Sequence, residues 1–104
     1  MAVTLAPENA DIIDVRGQIY AALGRWIEAI ADLDKAIAGG ASNASTFVAR
    51  GRAREAIGDP DAAIADYRKA LTLAADDEYE KHAQATARER LAALGIQIEP
   101  DSKG

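Results

Sequence analysis

Residues 16–36 read RGQIYAALGRWIEAIADLDKA, and a second version of the same stretch begins at Arg50. Residues 50–70 read RGRAREAIGDPDAAIADYRKA, with Arg, Gly, Ala, Asp and Lys at corresponding places. When residues 10–43 are laid over residues 44–77 without a gap, 12 of the 34 positions are identical. Self-similarity at a fixed period in this range is typical of a repeat array, in which each unit packs only against its neighbours.

The composition favours helices over strands. The chain has 104 residues, enough for one small domain, and 49% of them are hydrophobic but only 5% aromatic. The core is therefore built mainly from Ala, Ile and Leu. Alanine has the highest helix propensity, whereas few segments have the Val, Thr and aromatic enrichment of strands. The sequence predicts an all-α fold.

The charge and the missing cysteines exclude several classes of function. A net charge of −5 argues against a nucleic-acid or anionic-membrane partner, because phosphates are bound mainly by Lys and Arg. The sequence contains no Cys, so we expect neither disulfides nor thiolate metal sites. No stretch approaches the roughly 20 apolar residues of a membrane span. We therefore expect a cytoplasmic protein without a nucleic-acid or membrane partner.

Apolar spacing and helix-end residues predict five helices. Asp59 followed by Pro60 is typical of a helix start, and Gly24 and Gly58 are typical of helix ends. The helices are expected at about residues 11–23, 26–38, 44–57, 60–74 and, after residue 76 or 77, up to 94.

The period also predicts how the chain is divided. Residues 10–43 form the first unit, residues 44–77 the second, and residues 78–95 a further helix that covers the second unit. Residues 96–104 contain a proline and end in polar side chains, so we expect a flexible tail. Residues 1–9 allow two interpretations: a linker, or the end of a preceding repeat whose body is absent, because they align in the same period with residues 71–77.

The two units resemble the tetratricopeptide repeat, a 34-residue helix-turn-helix unit. The resemblance is carried by small and large residues at fixed places: Gly17, Tyr20, Ala29, Leu33 and Ala36 in the first unit, and Gly51, Ala63, Tyr67 and Ala70 in the second. Arg16 and Arg50 depart from the family's usual Leu, and Arg54 from its aromatic residue. The resemblance implies two repeats and a C-terminal capping helix, arranged as a right-handed superhelical array of antiparallel helix hairpins, an alpha solenoid.

The family resemblance implies a non-catalytic scaffold for protein–protein interaction. In this family the first helices of successive repeats line a concave groove that receives a peptide or helix of a partner. By position, the groove would carry Asp11, Asp14, Gln18, Ser45, Val48, Arg52, Glu55, Tyr79, His82 and Thr86. The alternative is a homo-oligomerisation module without a separate peptide ligand. With no helix before it, the first helix would expose Ile12, Ile19 or Ala22. Either a further repeat of a longer parent or another copy of the chain would cover them, and we expect a symmetric homodimer.

The sequence offers little for catalysis or metal binding. His82 is the only histidine and lies in a charged helix, so we interpret it as a solvated or capping residue. Acids such as Asp11, Asp14 and Asp76 are typical of helix starts and surfaces rather than of a ligand loop. The glycines match no phosphate-binding loop. We expect no enzyme activity, no metal and no cofactor.

Asp32 follows Arg16 at the same interval at which Asp66 follows Arg50. The repeated spacing predicts an ion pair between a first and a second helix, within one unit or between neighbours. The alternative is that the arginines bind a carboxylate of a partner. We favour the internal pair, because the Asp recurs together with the Arg.

Overall fold

The computed structural model describes residues 9–96, which form five helices and, within that range, no strand. The helices are α1 (Ala10–Ala22), α2 (Trp26–Ala38), α3 (Ala44–Ala56), α4 (Pro60–Leu71) and α5 (Glu78–Ala93). Helices α1 and α2 form one hairpin, α3 and α4 form a second, and α5 packs against α3 and α4. The predicted all-α fold of helix hairpins is therefore confirmed. The expected N-terminal segment and flexible tail, apart from Asn9 and Ile96, lie outside the described residues.

Local sequence explains where the helices begin and end. The side chains of Asn9, Asp59 and Asp77 accept hydrogen bonds from backbone N–H groups in the first turns of α1, α4 and α5. These caps satisfy donors that have no partner inside a helix. Gly24 and Gly58 follow α1 and α3 with φ of 77° and 90°, a left-handed conformation that favours glycine.

The end of α4 differs from our expectation: the helix stops at Leu71 rather than Ala74. The Nε2 atom of Gln84 donates hydrogen bonds to the carbonyl oxygens of Ala70 at 3.1 Å and Leu73 at 2.7 Å. A side chain of α5 thus binds carbonyl groups at this helix end, so the chain can leave the helix early. The other helix ends lie within a residue of the expected positions, which is the usual uncertainty of helix boundaries.

Two glycines allow close approach of the helices inside each hairpin. A Cβ atom on Gly17 would lie 2.7 Å from Cγ of Leu33, and one on Gly51 would lie 2.8 Å from Cε1 of Tyr67. Leu33 and Tyr67 are fully buried. Any larger side chain at either glycine would therefore push a first helix away from its partner.

Alanines form the contacts between successive units. Ala49 and Ala53 of α3 pack in one cluster with Ala29 and Leu33 of α2. In the same way, α5 packs through small residues into the cluster of α3 and α4, which contains Ala63, Tyr67, Ala70, Ala83 and Ala87. Because alanine carries only one methyl group, the following helix lies close to the preceding one.

The structure confirms the predicted arginine–aspartate pairs as internal contacts of each hairpin. Arg16 donates to both carboxylate oxygens of Asp32, at 2.7 and 2.9 Å. Arg50 donates to both oxygens of Asp66, at 3.1 and 2.9 Å. Both aspartates are buried, and two parallel charge-assisted hydrogen bonds compensate the loss of water. The arginines therefore have a structural role.

The second pair belongs to a larger cluster that joins the two hairpins. Arg50 also donates to Oδ1 of Asp34, on α2, at 2.8 Å. Arg54 donates to Oδ2 of Asp66 at 3.1 Å. Arg54 stands where the resemblance leads one to expect an aromatic residue, so this departure supplies an additional ion pair between α3 and α4.

Candidate protein-interaction surface

One side of α1, α3 and α5 lines a concave surface, called the groove below. Its centre is a cavity of about 200 Å³ with Gln18, Val48 and His82 among its lining residues. At one end the cavity continues into a concavity that includes Asp11 and Asp14. At the other end, Arg52 lines both this cavity and a concavity formed with Trp26, Glu55, Ala56 and Arg90.

All ten residues expected by position to line a groove lie along this surface. They differ in accessibility. Asp14, Ser45 and Val48 are buried and shape the floor, whereas Asp11, Arg52, Tyr79 and His82 are exposed and can reach a ligand. Sequence reasoning missed four polar or aromatic members, namely Trp26, Asn43, Glu80 and Arg90. The repeat period carries no sign of them, because Trp26 and Asn43 stand where the two units differ and Glu80 and Arg90 lie on α5, outside both units.

Asp14 is a buried carboxylate at the acidic end of the groove. Its Oδ1 accepts a hydrogen bond from Gln18 at 3.0 Å, and its Oδ2 accepts one from the hydroxyl of Thr46 at 3.0 Å. Burial raises the pKa of Asp14, the two hydrogen bonds act in the opposite direction, and the nearby charge of Glu80 adds to the increase. The side chain therefore loses part of its preference for the charged form.

Ser45 links Gln18, which donates a hydrogen bond to Asp14, to Glu80 on α5. Its backbone N–H and its hydroxyl donate to the two carboxylate oxygens of Glu80, at 2.8 and 2.9 Å. The same hydroxyl accepts from Gln18 at 3.2 Å, and Gln18 in turn accepts from the hydroxyl of Tyr79 at 2.5 Å. Side chains of α1, α3 and α5 thus form one hydrogen-bonded network across the groove.

The opposite end of the groove contains a salt bridge between α3 and α5. Arg90 donates to both oxygens of Glu55, which also accepts from the buried hydroxyl of Tyr67 at 2.7 Å. The hydrogen bond from Arg90 holds the pKa of Glu55 below its ordinary value. Glu55 is therefore engaged within the fold, and the exposed Arg52 beside it is the better candidate for contact with a partner.

The groove contains few groups suited to chemistry. His82 is exposed on α5, and no other histidine occurs in the sequence. Across residues 9–96, no three Asp, Glu or His side chains are grouped so that they could hold a metal ion. None of the helices in that range combines the length and apolar character needed to cross a lipid bilayer.

Comparison with known families matches this architecture. The family model described as tetratricopeptide repeat matches residues 44–77, the second unit of the sequence period. The second unit is therefore a tetratricopeptide repeat, in agreement with the resemblance seen in the sequence. Members of this family are in general non-catalytic repeat scaffolds for protein–protein interaction. No curated protein and no solved structure matches the chain.

Proposed function

We propose that the groove binds a peptide or helix of a partner protein and that the chain acts as a non-catalytic scaffold. The main support is the hydrogen-bonded network of Gln18, Ser45, Tyr79 and Glu80, which fixes polar side chains of three helices relative to one another. A preorganised surface loses less conformational entropy on binding, so more of the contact energy is retained as affinity.

The charges along the groove indicate the chemistry of the partner segment. Asp11, Asp14 and Glu80 gather at one end, and no Lys or Arg among residues 9–96 forms a salt bridge with them. Arg52 lies toward the other end. Small apolar side chains line the cavity between them: Ala21, Ala22, Val48 and Ala49. We therefore expect a segment with Lys or Arg at one end, apolar side chains in the middle and a carboxylate near Arg52.

Charge reversal in the groove tests the proposal. Proteins captured from the source cells by the wild-type chain are identified by mass spectrometry and then titrated as purified proteins. Arg52→Glu and Asp11→Lys should each weaken binding of a true groove partner by about tenfold, since each replaces an attraction by a repulsion. Arg68→Glu is the matched control, because Arg68 is exposed on α4 and lines none of the three concavities of the groove.

A partner whose affinity is the same for all three variants would contradict binding in the groove.

The proposal places the scaffold in the cytoplasm, which the absence of cysteine fits. Homo-oligomerisation without a separate ligand is the alternative expected from the sequence, and it would use the apolar side of α1 that adjoins the groove.

A further inference from the structure

Helix α1 has an exposed apolar face that adjoins the groove. Ile12, Val15, Ile19 and Leu23 are spaced by three or four residues and so lie on one side of the helix. They are 67, 57, 53 and 66% exposed, respectively. Together they form the outer face of α1. Val15 and Ile19 also border the acidic end of the groove, whereas Ile12 and Leu23 do not.

The middle of the corresponding face is buried on α3 and on α5. In the second unit, the places of Val15 and Ile19 are taken by Ala49 and Ala53, which pack against α2. One repeat period further along, on α5, Ala83 and Ala87 pack into the cluster of α3 and α4. The outer face of α1 is thus the packing face of the repeat without a preceding helix among residues 9–96.

The size of the side chains indicates what covers this face. Alanines on α3 and α5 let the preceding helix lie close, but Val15 and Ile19 would hold a helix in that position farther away. Branched side chains of this size suit a helix pair in which both faces carry large residues that interdigitate. The outer face of a second α1 has this character, since it presents the same four side chains.

We propose that the outer face of α1 binds the same face of a second copy of this chain, with the two α1 helices antiparallel about a two-fold axis. Asp11 lies at one end of the face, and Arg25, an exposed side chain that pairs with Glu28 at 2.6 Å, lies just beyond the other. An antiparallel pair brings Asp11 of each copy toward Arg25 of the other, whereas a parallel pair would bring the two Asp11 side chains together. Arg16, beside the face, is bound to Asp32 within its own copy.

The outward side of α5, at the other end of the described helices, favours this closed dimer over an open chain of copies. The outward side of α5 carries Lys81, Ala85, Arg88 and Ala92, all exposed. Contact between the outer face of α1 and this side would bury cations against apolar side chains, which is unfavourable. A two-fold contact through α1 buries the outer face of α1 in both copies and leaves α5 exposed to water.

Mass measurements on the full chain test the proposal. Light scattering or sedimentation equilibrium from micromolar to millimolar concentration should give twice the 11.0 kDa of one chain. Ile19→Asp should convert the protein to monomers without loss of helix content, because residue 19 is exposed within each copy. Ile57→Asp is the matched control, since Ile57 is exposed and lies at the same end of α3 as Leu23 does of α1.

A cross-link reports the geometry, because the chain has no cysteine of its own. Ile19→Cys, near the proposed two-fold axis, should form a disulfide-linked dimer on mild oxidation, and Ile57→Cys should not. A monomer at all concentrations would overturn the proposal, including the case in which residues 1–8 of the same chain cover the face. A dimer that persists in Ile19→Asp, or masses that grow beyond two copies, would overturn it as well.

Discussion

The two hairpins carry the same arginine and aspartate at the same spacing, but the pairs lie in different surroundings. The side chain of Arg16 is 57% exposed, whereas that of Arg50 is 15% exposed and also contacts Asp34 of the preceding unit. The difference arises because α3 lies between α2 and α5, while the outer face of α1 has no helix against it among residues 9–96. Each unit's own sequence thus determines which contacts form, and its neighbours determine how deeply they are buried.

The largest expected effect of this difference is on the two aspartates. Asp66→Ala should lower the free energy of unfolding by about 3 kcal/mol, because Arg50 and Arg54 would lose a buried counter-charge. Asp32→Ala should cost about 1 kcal/mol, because Arg16 can be solvated. Urea denaturation of both variants measures the difference. Equal losses would mean that the neighbouring helices do not determine the strength of the pair.

A smaller effect is expected at the two glycines. Gly51→Ala brings a methyl group against the ring of Tyr67, whose hydroxyl is bound to Glu55 and which cannot move aside. Crowding of this kind costs about 1–3 kcal/mol, and alanine's better helix propensity returns about 1 kcal/mol. The net loss should be up to about 2 kcal/mol for Gly51→Ala and close to zero for Gly17→Ala, since α1 can shift toward its open side. Urea denaturation of the two variants measures these losses. A greater loss of stability for Gly17→Ala than for Gly51→Ala would contradict the comparison.

The smallest effect concerns a position that is polar in one unit and apolar in the other. Asp14 and Val48 occupy equivalent places in the two units, and both are buried. Because burial raises the pKa of Asp14, the folded protein binds its proton more tightly than the unfolded chain does. The free energy of unfolding should therefore fall as the pH rises from the unfolded value of about 3.9 through the raised folded value.

Replacement by asparagine removes this contribution. The stability of Asp14→Asn relative to the wild type should increase across that pH range, as measured by urea denaturation at several pH values. Asp61→Asn, which removes an exposed carboxylate on α4, controls for the change in net charge. Parallel curves for the wild type and Asp14→Asn would show that Asp14 does not titrate as burial predicts.

Much of the architecture could be predicted because it follows from local rules that repeat. The period, the helix stops at Gly24 and Gly58 and the pairing of Arg50 with Asp66 all rest on residues that recur with fixed spacing. The early end of α4 could not be predicted, because it depends on Gln84, which lies on α5 and outside the unit that contains Leu71. Periodicity within a helix carries no information about such a contact.

The groove, too, could be predicted from the sequence only in part. Its outline could be predicted by position, but its internal hydrogen bonds could not. Ser45 and Glu80 lie on different helices far apart in the sequence, and Gln18 and Tyr79 are farther apart still. Which polar side chains meet across three helices depends on the distances between the helices, and those distances are determined by the alanine and glycine contacts.

Helix α3 contacts each of the other four helices, and every contact between the two hairpins involves it. Helices α1 and α5 each lie at one end of the described array, so either could separate while the remaining helices stay together. Loss of α3 would separate the pair of α1 and α2 from the pair of α4 and α5. Detachment at the ends therefore leaves the rest of the array connected, whereas the release of α3 divides it in two.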